Sequence, residues 1–287
     1  MKKKIRFSGL SNSANVGGAP VIRHLPNRFA NAVGPFVLLD QAGPMKIGSQ
    51  QAGGTGPHPH RGIATLTYSI QGQIEHFDSL GNHSLVNSGG VQWMNAGNGI
   101  VHDERSGSEN NTHTKEIYAF QFWINLPSKI KKEKPEYLPL QAADIPEKQL
   151  AEEAGSIRVI AGNYLGLISK IPSYSEQFLF HLKLNSRKKF NIAFPLKTEI
   201  AAILPNASAK INNEIFQAGE FIEFDPGAGE IEVENTSDAT IDVLLFGGET
   251  YPDPIVTKGP FVMNSEEGVA LAYKDYAAGK YGEINYP

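Results

Sequence analysis

Two short histidine motifs stand out in the first half of the sequence. The first is His58-Pro59-His60 and the second is His102-Asp103-Glu104. Side chains two residues apart point to the same side of an extended strand, so each motif can present two ligating groups together. Three imidazole nitrogens and one carboxylate suit a divalent transition metal. The spacing therefore predicts a mononuclear metal site formed by His58, His60, His102 and Glu104.

The alternative is that the same histidines are hydrogen-bonded structural residues inside a β-barrel. The two motifs favour a metal because both repeat the same-face spacing. Lone histidines among polar neighbours are more often surface or turn residues, and buried ones are more often structural. The remaining histidines are accordingly predicted to lie outside the site, and they are His24, His76, His83, His113 and His181.

Short extended segments between glycine-rich turns are predicted to carry the motifs. Residues 34–40, 63–70 and 117–126 are rich in β-branched and aromatic residues and are predicted strands. Residues 41–56 are rich in glycine and polar residues and are predicted to form a loop that leads to the metal-binding edge. If the alternation of His58 and His60 continues, the metal face of the next strand carries Ala64, Leu66 and Tyr68.

Several neighbours of the motifs are candidates for supporting roles. Tyr68, Gln121 and Trp123 could line a pocket, although aromatic residues in a barrel are more often core. Asp103 alternates away from the ligands and is predicted to point outward. Arg61 and Arg105, like Asp103, alternate away from the side of the strand that carries the ligands. We therefore expect them to be charges at the rim of the site or behind the ligands.

The second half of the chain repeats the strand-and-turn pattern without the ligands. Residues 127–150 are charged and punctuated by proline, which is typical of a domain boundary. Short strand patterns then follow at even spacing, and no histidine occurs after His181. The tail at residues 266–279 has helical spacing. We predict an all-β protein with a few short helices, a metal-binding domain at residues 1–134 and a second barrel without metal ligands at residues 135–287.

Composition excludes several classes of function and site. The 287 residues contain no cysteine, so disulfides, thiolate nucleophiles and cysteine-type zinc sites are absent. The net charge of -4 comes without a domain-sized basic stripe, which disfavours direct nucleic-acid binding. No segment has the length of apolar sequence that a membrane span or a signal peptide needs. We expect a cytoplasmic monomer that does not bind membranes.

Two barrel halves with HxH followed by GxxH resemble the cupin superfamily, and longer motifs resemble the pirin family. These motifs are at residues 58–62, 92–97, 99–104 and 259–264. The general cupin pattern has a glutamate shortly after HxH, where this chain has Ala64 and Thr65. In pirins the carboxylate ligand comes from the HxE of the second motif, which assigns that role to Glu104.

The resemblance implies two tandem cupin β-barrels, of the double-stranded β-helix or jelly-roll type, with Fe(II) in the N-terminal one. Nickel, manganese, copper, cobalt or zinc could replace iron in such a ligand set. Some pirins open the flavonol quercetin with O2, as quercetin 2,3-dioxygenases. Others are described as nuclear transcriptional coregulators that respond to the redox state of the iron, which implies a protein partner. A third alternative is an oxidoreductase for another small molecule, such as an enediol.

The dioxygenase interpretation gives Glu104 a catalytic role. Four protein ligands leave two positions of an octahedral ion open for a small-molecule substrate and O2. Glu104 is the only carboxylate that the motifs place on the metal face. We therefore expect it to accept the 3-hydroxyl proton of the flavonol as a general base.

Overall fold

The computed structural model describes residues 1–48, 54–106 and 114–286, and it is mostly β. The strands of the first half of the chain are β1 (Ile5–Leu10), β2 (Asn12–Val16), β3 (Ala19–Leu25), β4 (Phe36–Gly48), β5 (His58–His60), β6 (Ile63–Gln71), β7 (Ile74–Asp78), β8 (His83–Val86), β9 (Val91–Asn95), β10 (Ile100–Ser106), β11 (Thr114–Asn125) and β12 (Glu136–Leu140).

The strands of the second half are β13 (Glu147–Gln149), β14 (Gly155–Ala161), β15 (Asn163–Tyr164), β16 (Leu167–Ile168), β17 (Gln177–Leu184), β18 (Lys189–Phe194), β19 (Thr198–Ile203), β20 (Ala209–Ile211), β21 (Glu214–Phe216), β22 (Glu220–Phe224), β23 (Gly229–Glu234), β24 (Ile241–Glu249), β25 (Val256–Lys258) and β26 (Phe261–Met263). Three short 3-10 helices lie at Ile130–Lys132, Ala142–Asp144 and Ala151–Glu153.

The described residues contain one α-helix, α1 (Glu266–Ala277), in the tail where helical spacing predicted it. Ser265 begins the helix because its side chain accepts a hydrogen bond from the backbone N–H of Gly268. Glu266 and Glu267 in the first turn complement the positive end of the helix dipole. No helix in the described ranges has both the length and the apolar character needed to span a membrane.

The chain forms two compact units that are interleaved along the sequence. The unit that we call the histidine unit comprises Ser13–Leu25, Phe36–Asp144 and Pro252–Pro287. The second unit comprises Met1–Asn12, Pro26–Pro35 and Ile145–Tyr251. A boundary between residues 134 and 135 stays a prediction. The segment after residue 251 belongs to the histidine unit, although it is distant from it in sequence.

The histidine unit is built from two sheets. A seven-stranded sheet has the order β12-β9-β6-β11-β4-β3-β2, and a four-stranded sheet has the order β5-β10-β7-β8. The central strand β6 is buried on both sides from Ile63 to Ser69, as is typical of a strand that is covered on both faces. Both histidine motifs lie on neighbouring strands of the smaller sheet. This sheet therefore carries the predicted ligands.

The second unit repeats this plan with its own core. Its sheets have the orders β1-β22-β19-β24-β17-β14-β13 and β18-β23-β20-β21. Apolar side chains from both sheets pack together, including Phe180, Leu245 and Val233, which are at most 3% exposed. The predicted fold class of two β-barrel domains is confirmed.

One sequence prediction about the first half was wrong. Residues 41–56 were predicted to be a loop, but β4 continues to Gly48 and pairs with β11. Gly43 does not end the strand because an irregularity in the pairing with β11 accommodates it, and its φ is +79°.

Candidate metal centre

The three histidines of the two motifs converge because β5 and β10 are antiparallel neighbours. His102 lies directly opposite His58, and Ile100 lies opposite His60. The ring centroids are 4.4 Å apart for His58 and His102 and 5.0 Å apart for His60 and His102. The ligating nitrogens of all three histidines lie within 4.8 Å of one another.

Backbone carbonyl groups fix the tautomers of two of these rings. His58 donates from Nδ1 to the carbonyl oxygen of Gly56 at 2.8 Å, and His60 donates from Nδ1 to that of Pro260 at 3.1 Å. Each ring therefore keeps the lone pair on Nε2. Metal-binding histidines are usually oriented by such a hydrogen bond from the other ring nitrogen.

His102 completes a donor set that fits a cation. Its Nε2 lies 3.0 Å from the Nε2 of His58, and its buried Nδ1 has no hydrogen-bond partner within the described ranges. Two ring nitrogens at this distance need a proton or a cation between them, because their lone pairs otherwise repel. The residues present thus fit a divalent transition metal.

Burial keeps these imidazoles neutral, which is the form that binds metals. Burial, reinforced by the neighbouring His58, lowers the pKa of His60 to about 3. The same two causes hold the pKa of His102 well below its usual value. Protons therefore do not compete for these two nitrogens near neutral pH.

Glu104 is buried on the same strand as His102 and is held by two hydrogen-bond donors. The hydroxyl of Thr67 donates to its Oε1 at 2.8 Å, and the amide of Gln121 donates to its Oε2 at 2.7 Å. Its carboxylate forms a second group with His76 and His102, in which the ligating atoms also lie within 4.8 Å of one another. Glu104 therefore lies beside His102 and His76 with a fixed orientation.

His76 was predicted to be a surface or turn residue, and this was wrong. It is 1% exposed and lies directly opposite Glu104, because β7 pairs with β10 on the side away from β5. Its ring stacks on Tyr137 at 4.0 Å, and its Nε2 lies 3.1 Å from Oδ2 of Asp78. The two-residue spacing of His76 and Asp78 was the sequence signal for this arrangement.

The face of β6 that points to the site is the opposite of the predicted one. Thr67, and not Tyr68, contacts Glu104, and the pairing partner of Thr67 on β11 is Gln121. The two-residue alternation of side chains does not continue from β5 into β6, because Arg61 and Gly62 lie between the strands and Gly62 has a φ of +82°. A period of two does not carry across such an interruption.

The structure also places the other candidates near the motifs. The ring of Trp123 packs edge-on against His60 at 4.9 Å, whereas Tyr68 is buried on the far face of β6. Asp103 was predicted to point outward, but it is 1% exposed because the tail covers it. Its Oδ2 accepts hydrogen bonds from Arg105 and from the hydroxyl of Tyr286.

The remaining histidines outside the site have other partners. His24 and His181 are buried and hydrogen-bonded to Gln41 and Asp242, which is a structural arrangement. His83 is partly exposed and pairs with Glu75. His113 lies outside the described residues.

A cavity of about 150 Å³ borders Glu104. Gln121 and Thr67 also line it, so the hydrogen bonds that hold the carboxylate lie in its wall. The rest of the lining is mostly apolar and includes Val21, Met45, Ile74, Ile117 and Ala119. Such a pocket suits a largely apolar molecule with a few polar groups.

Comparisons with known proteins agree with this architecture. The family model described as Pirin matches residues 18–124, and the one described as Pirin C-terminal cupin domain matches residues 179–282. A Pseudomonas aeruginosa protein provisionally named quercetin 2,3-dioxygenase is 34% identical over 98% of this chain and 99% of its own length. Human Pirin is 31% identical over 98% of this chain and 94% of its own length.

Solved structures show the same fold. A structure of quercetin 2,3-dioxygenase from Acinetobacter baumannii has a TM-score of 0.91 with 29% identity, and the match covers 99% of this chain and 100% of that one. A bacterial pirin from Escherichia coli, solved in complex with nickel(II), has a TM-score of 0.64 with 20% identity over 85% of this chain and 100% of that one. At 20% identity, the match to the Escherichia coli pirin supports the fold alone.

Proposed function

The chain belongs to the pirin family, and on that premise we propose that it is an iron-dependent dioxygenase that opens a flavonol such as quercetin with O2. The observation that carries the proposal is the position of Glu104. Its carboxylate lies beside His102, which is one of the three converging histidines, and also borders a mostly apolar cavity. An apolar pocket that borders a candidate metal ligand suits the chemistry of an oxygenase better than that of a purely structural ion.

His58, His60, His102 and Glu104 would hold the metal, with Fe(II) as the proposed ion and nickel, manganese, copper, cobalt or zinc as alternatives. When bound, Fe(II) would supply a Lewis acid for the flavonol oxygens and a redox partner for O2. The protein supplies the placement. The carbonyl groups of Gly56 and Pro260 keep the Nε2 lone pairs of His58 and His60 aimed inward.

Glu104 is proposed to take the proton from the 3-hydroxyl group of the flavonol. Thr67 and Gln121 each donate one hydrogen bond to it, so one further lone pair on each oxygen is left to accept that proton. The apolar wall at Ile74 and Ile117 would exclude water from the bound ring. Glu104 thus combines proton transfer with its place in the ligand set.

The test is turnover of quercetin by anaerobically iron-loaded protein. O2 consumption and carbon monoxide release are measured for the wild type, His58→Ala and Glu104→Gln, with the partly exposed His83→Ala as control. We expect turnover in the wild type and the control and its loss in both site variants. Fully iron-loaded wild-type protein that does not turn over quercetin would overturn the proposal.

A second candidate is a metal-dependent regulatory protein without an enzymatic substrate. The relatives that carry the name Pirin rather than an enzyme name favour it. In that case the loaded protein fails to turn over quercetin but captures a protein partner in one redox state of the iron and not in the other. Under either candidate we propose that the protein acts in the cytoplasm as a monomer.

A further inference from the structure

The motif at residues 259–264 lies against the metal centre, although the proposed chemistry makes no use of its side chains. It forms the turn and last strand of the β25–β26 hairpin. The carbonyl oxygen of Pro260 accepts the 3.1 Å hydrogen bond from Nδ1 of His60, across a sequence separation of 200 residues. One candidate ligand is therefore oriented by a segment from the other end of the chain.

Backbone pairing and burial fix the position of that carbonyl. Phe261 pairs with Arg61 in a parallel bridge, and the N–H of Val262 donates to the carbonyl oxygen of Arg61 at 3.1 Å. The side chain of Phe261 is 0% exposed and packs in a small core with Val101, Ala272 and Tyr281. Because Val101 precedes His102 on β10, this core also supports the strand that carries the second motif.

A buried lysine holds the next carbonyl of the motif. Lys131 is 2% exposed, and its ammonium group donates to the carbonyl oxygen of Val262 and to Oδ1 of Asn125, both at 2.6 Å. Burial lowers the pKa of this lysine to about 7. Burying an amine costs free energy unless it is hydrogen-bonded. The two hydrogen bonds of Lys131 offset this cost, and they tie the hairpin to the barrel.

We propose that Phe261 and Lys131 are positioning residues of the metal centre, which hold the Pro260 carbonyl so that His60 keeps its Nδ1 proton and directs Nε2 at the metal. The proposal rests on the metal site proposed above. Hydrogen-bond partners behind metal ligands typically change metal affinity by roughly 10- to 100-fold when they are removed. The C-terminal motif would thus set metal affinity without supplying a ligand.

The experiment measures Co²⁺ binding to the full-length chain against a competing chelator, together with the visible absorption spectrum of the bound ion. The variants are Phe261→Ala, Phe261→Leu and Lys131→Met, which removes the donor while keeping the chain length. Phe221→Ala is the control, because it truncates an equally buried phenylalanine in the second unit. Circular dichroism establishes that each variant is folded, and ¹⁵N NMR of the Zn²⁺-loaded protein reports which nitrogen of His60 carries the proton.

We expect Phe261→Ala and Lys131→Met to bind Co²⁺ at least about 10-fold more weakly, with an altered spectrum. Phe261→Leu should recover part of the affinity, and Phe221→Ala should match the wild type. Folded Lys131→Met with wild-type affinity, spectrum and His60 tautomer would overturn the proposal, even if Phe261→Ala failed to fold. Wild-type protein that binds no Co²⁺ would instead overturn the metal site itself.

Discussion

Hydrogen bonds fix the orientation of most residues of the candidate site. Gly56 and Pro260 orient His58 and His60, while Thr67 and Gln121 orient Glu104. This matters because a ligand whose side chain is already held in place loses little conformational freedom when a metal binds. The affinity of the site should therefore depend on residues that never touch the metal.

Gln121→Leu tests this dependence at Glu104. The substitution keeps the size of the side chain and removes the donor to Oε2, so the carboxylate retains only Thr67 and gains rotational freedom. We expect metal affinity and flavonol turnover to fall on the order of 10-fold. Gln177→Leu replaces a buried glutamine of the second unit and should change neither quantity. Equal metal affinity in Gln121→Leu and the wild type would show that the hydrogen bond is not needed.

A second prediction concerns acid stability and His24. Burial lowers the pKa of His24 to about 4, from an unfolded value of about 6.5. Between these pH values the unfolded chain binds a proton that the folded protein does not. The free energy of unfolding therefore falls as pH drops from about 6.5 to about 4, by at most about 1.4 kcal/mol per pH unit for this one proton.

Urea unfolding of metal-free protein between pH 7 and pH 4.5 measures this slope. His24→Gln should flatten it, because the substituted side chain does not titrate. His83→Gln, at a partly exposed histidine, should leave the slope as in the wild type. An unchanged slope in His24→Gln would mean that the protonation of His24 is not linked to folding.

The junction between β5 and β6 is the element that sets the geometry of the site. Gly62 has a φ of +82°, and a Cβ atom there would lie 2.0 Å from the carbonyl oxygen of Val262. Glycine is therefore required both by the backbone conformation and by the close approach of the hairpin. The interruption of the strand at Arg61 and Gly62 also turns Thr67 toward Glu104. These two residues therefore decide which face of β6 belongs to the site.

Gly62→Ala should consequently affect stability and metal binding together. An L-residue in this conformation costs about 1–2 kcal/mol, and the clash should add about 1–3 kcal/mol. Gly81→Ala is a matched control, because its φ is +85° but no atom lies within 4 Å of an added Cβ. Denaturant unfolding should show a larger loss of stability in Gly62→Ala than in Gly81→Ala. Co²⁺ titration should show weakened metal affinity in Gly62→Ala and wild-type affinity in Gly81→Ala. Equal losses of stability would rule out the clash.

The whole molecule consists of two units that each have their own core, and the metal candidates lie in one of them. A ligand that binds only the folded form stabilises the unit that binds it. Metal loading should therefore act selectively on the histidine unit, while the second unit depends on the packing of its two sheets.

Calorimetry of the full-length protein should show this selectivity. We expect two thermal transitions, of which one moves up by several degrees when Co²⁺ or Fe²⁺ is added under anaerobic conditions and returns with chelator. In His58→Ala that transition should no longer respond to metal. A single transition that shifts as a whole would show that the two units unfold cooperatively.

The sequence by itself determined the fold class, the family resemblance and the same-side placement of His58 with His60 and of His102 with Glu104. These depend on turn residues and on the two-residue period of strands, which are local properties. Tertiary structure alone decided that Thr67 faces Glu104, that His76 is buried beside it, and that Pro260 orients His60. These contacts follow from strand register and from packing between distant segments, which no local period encodes.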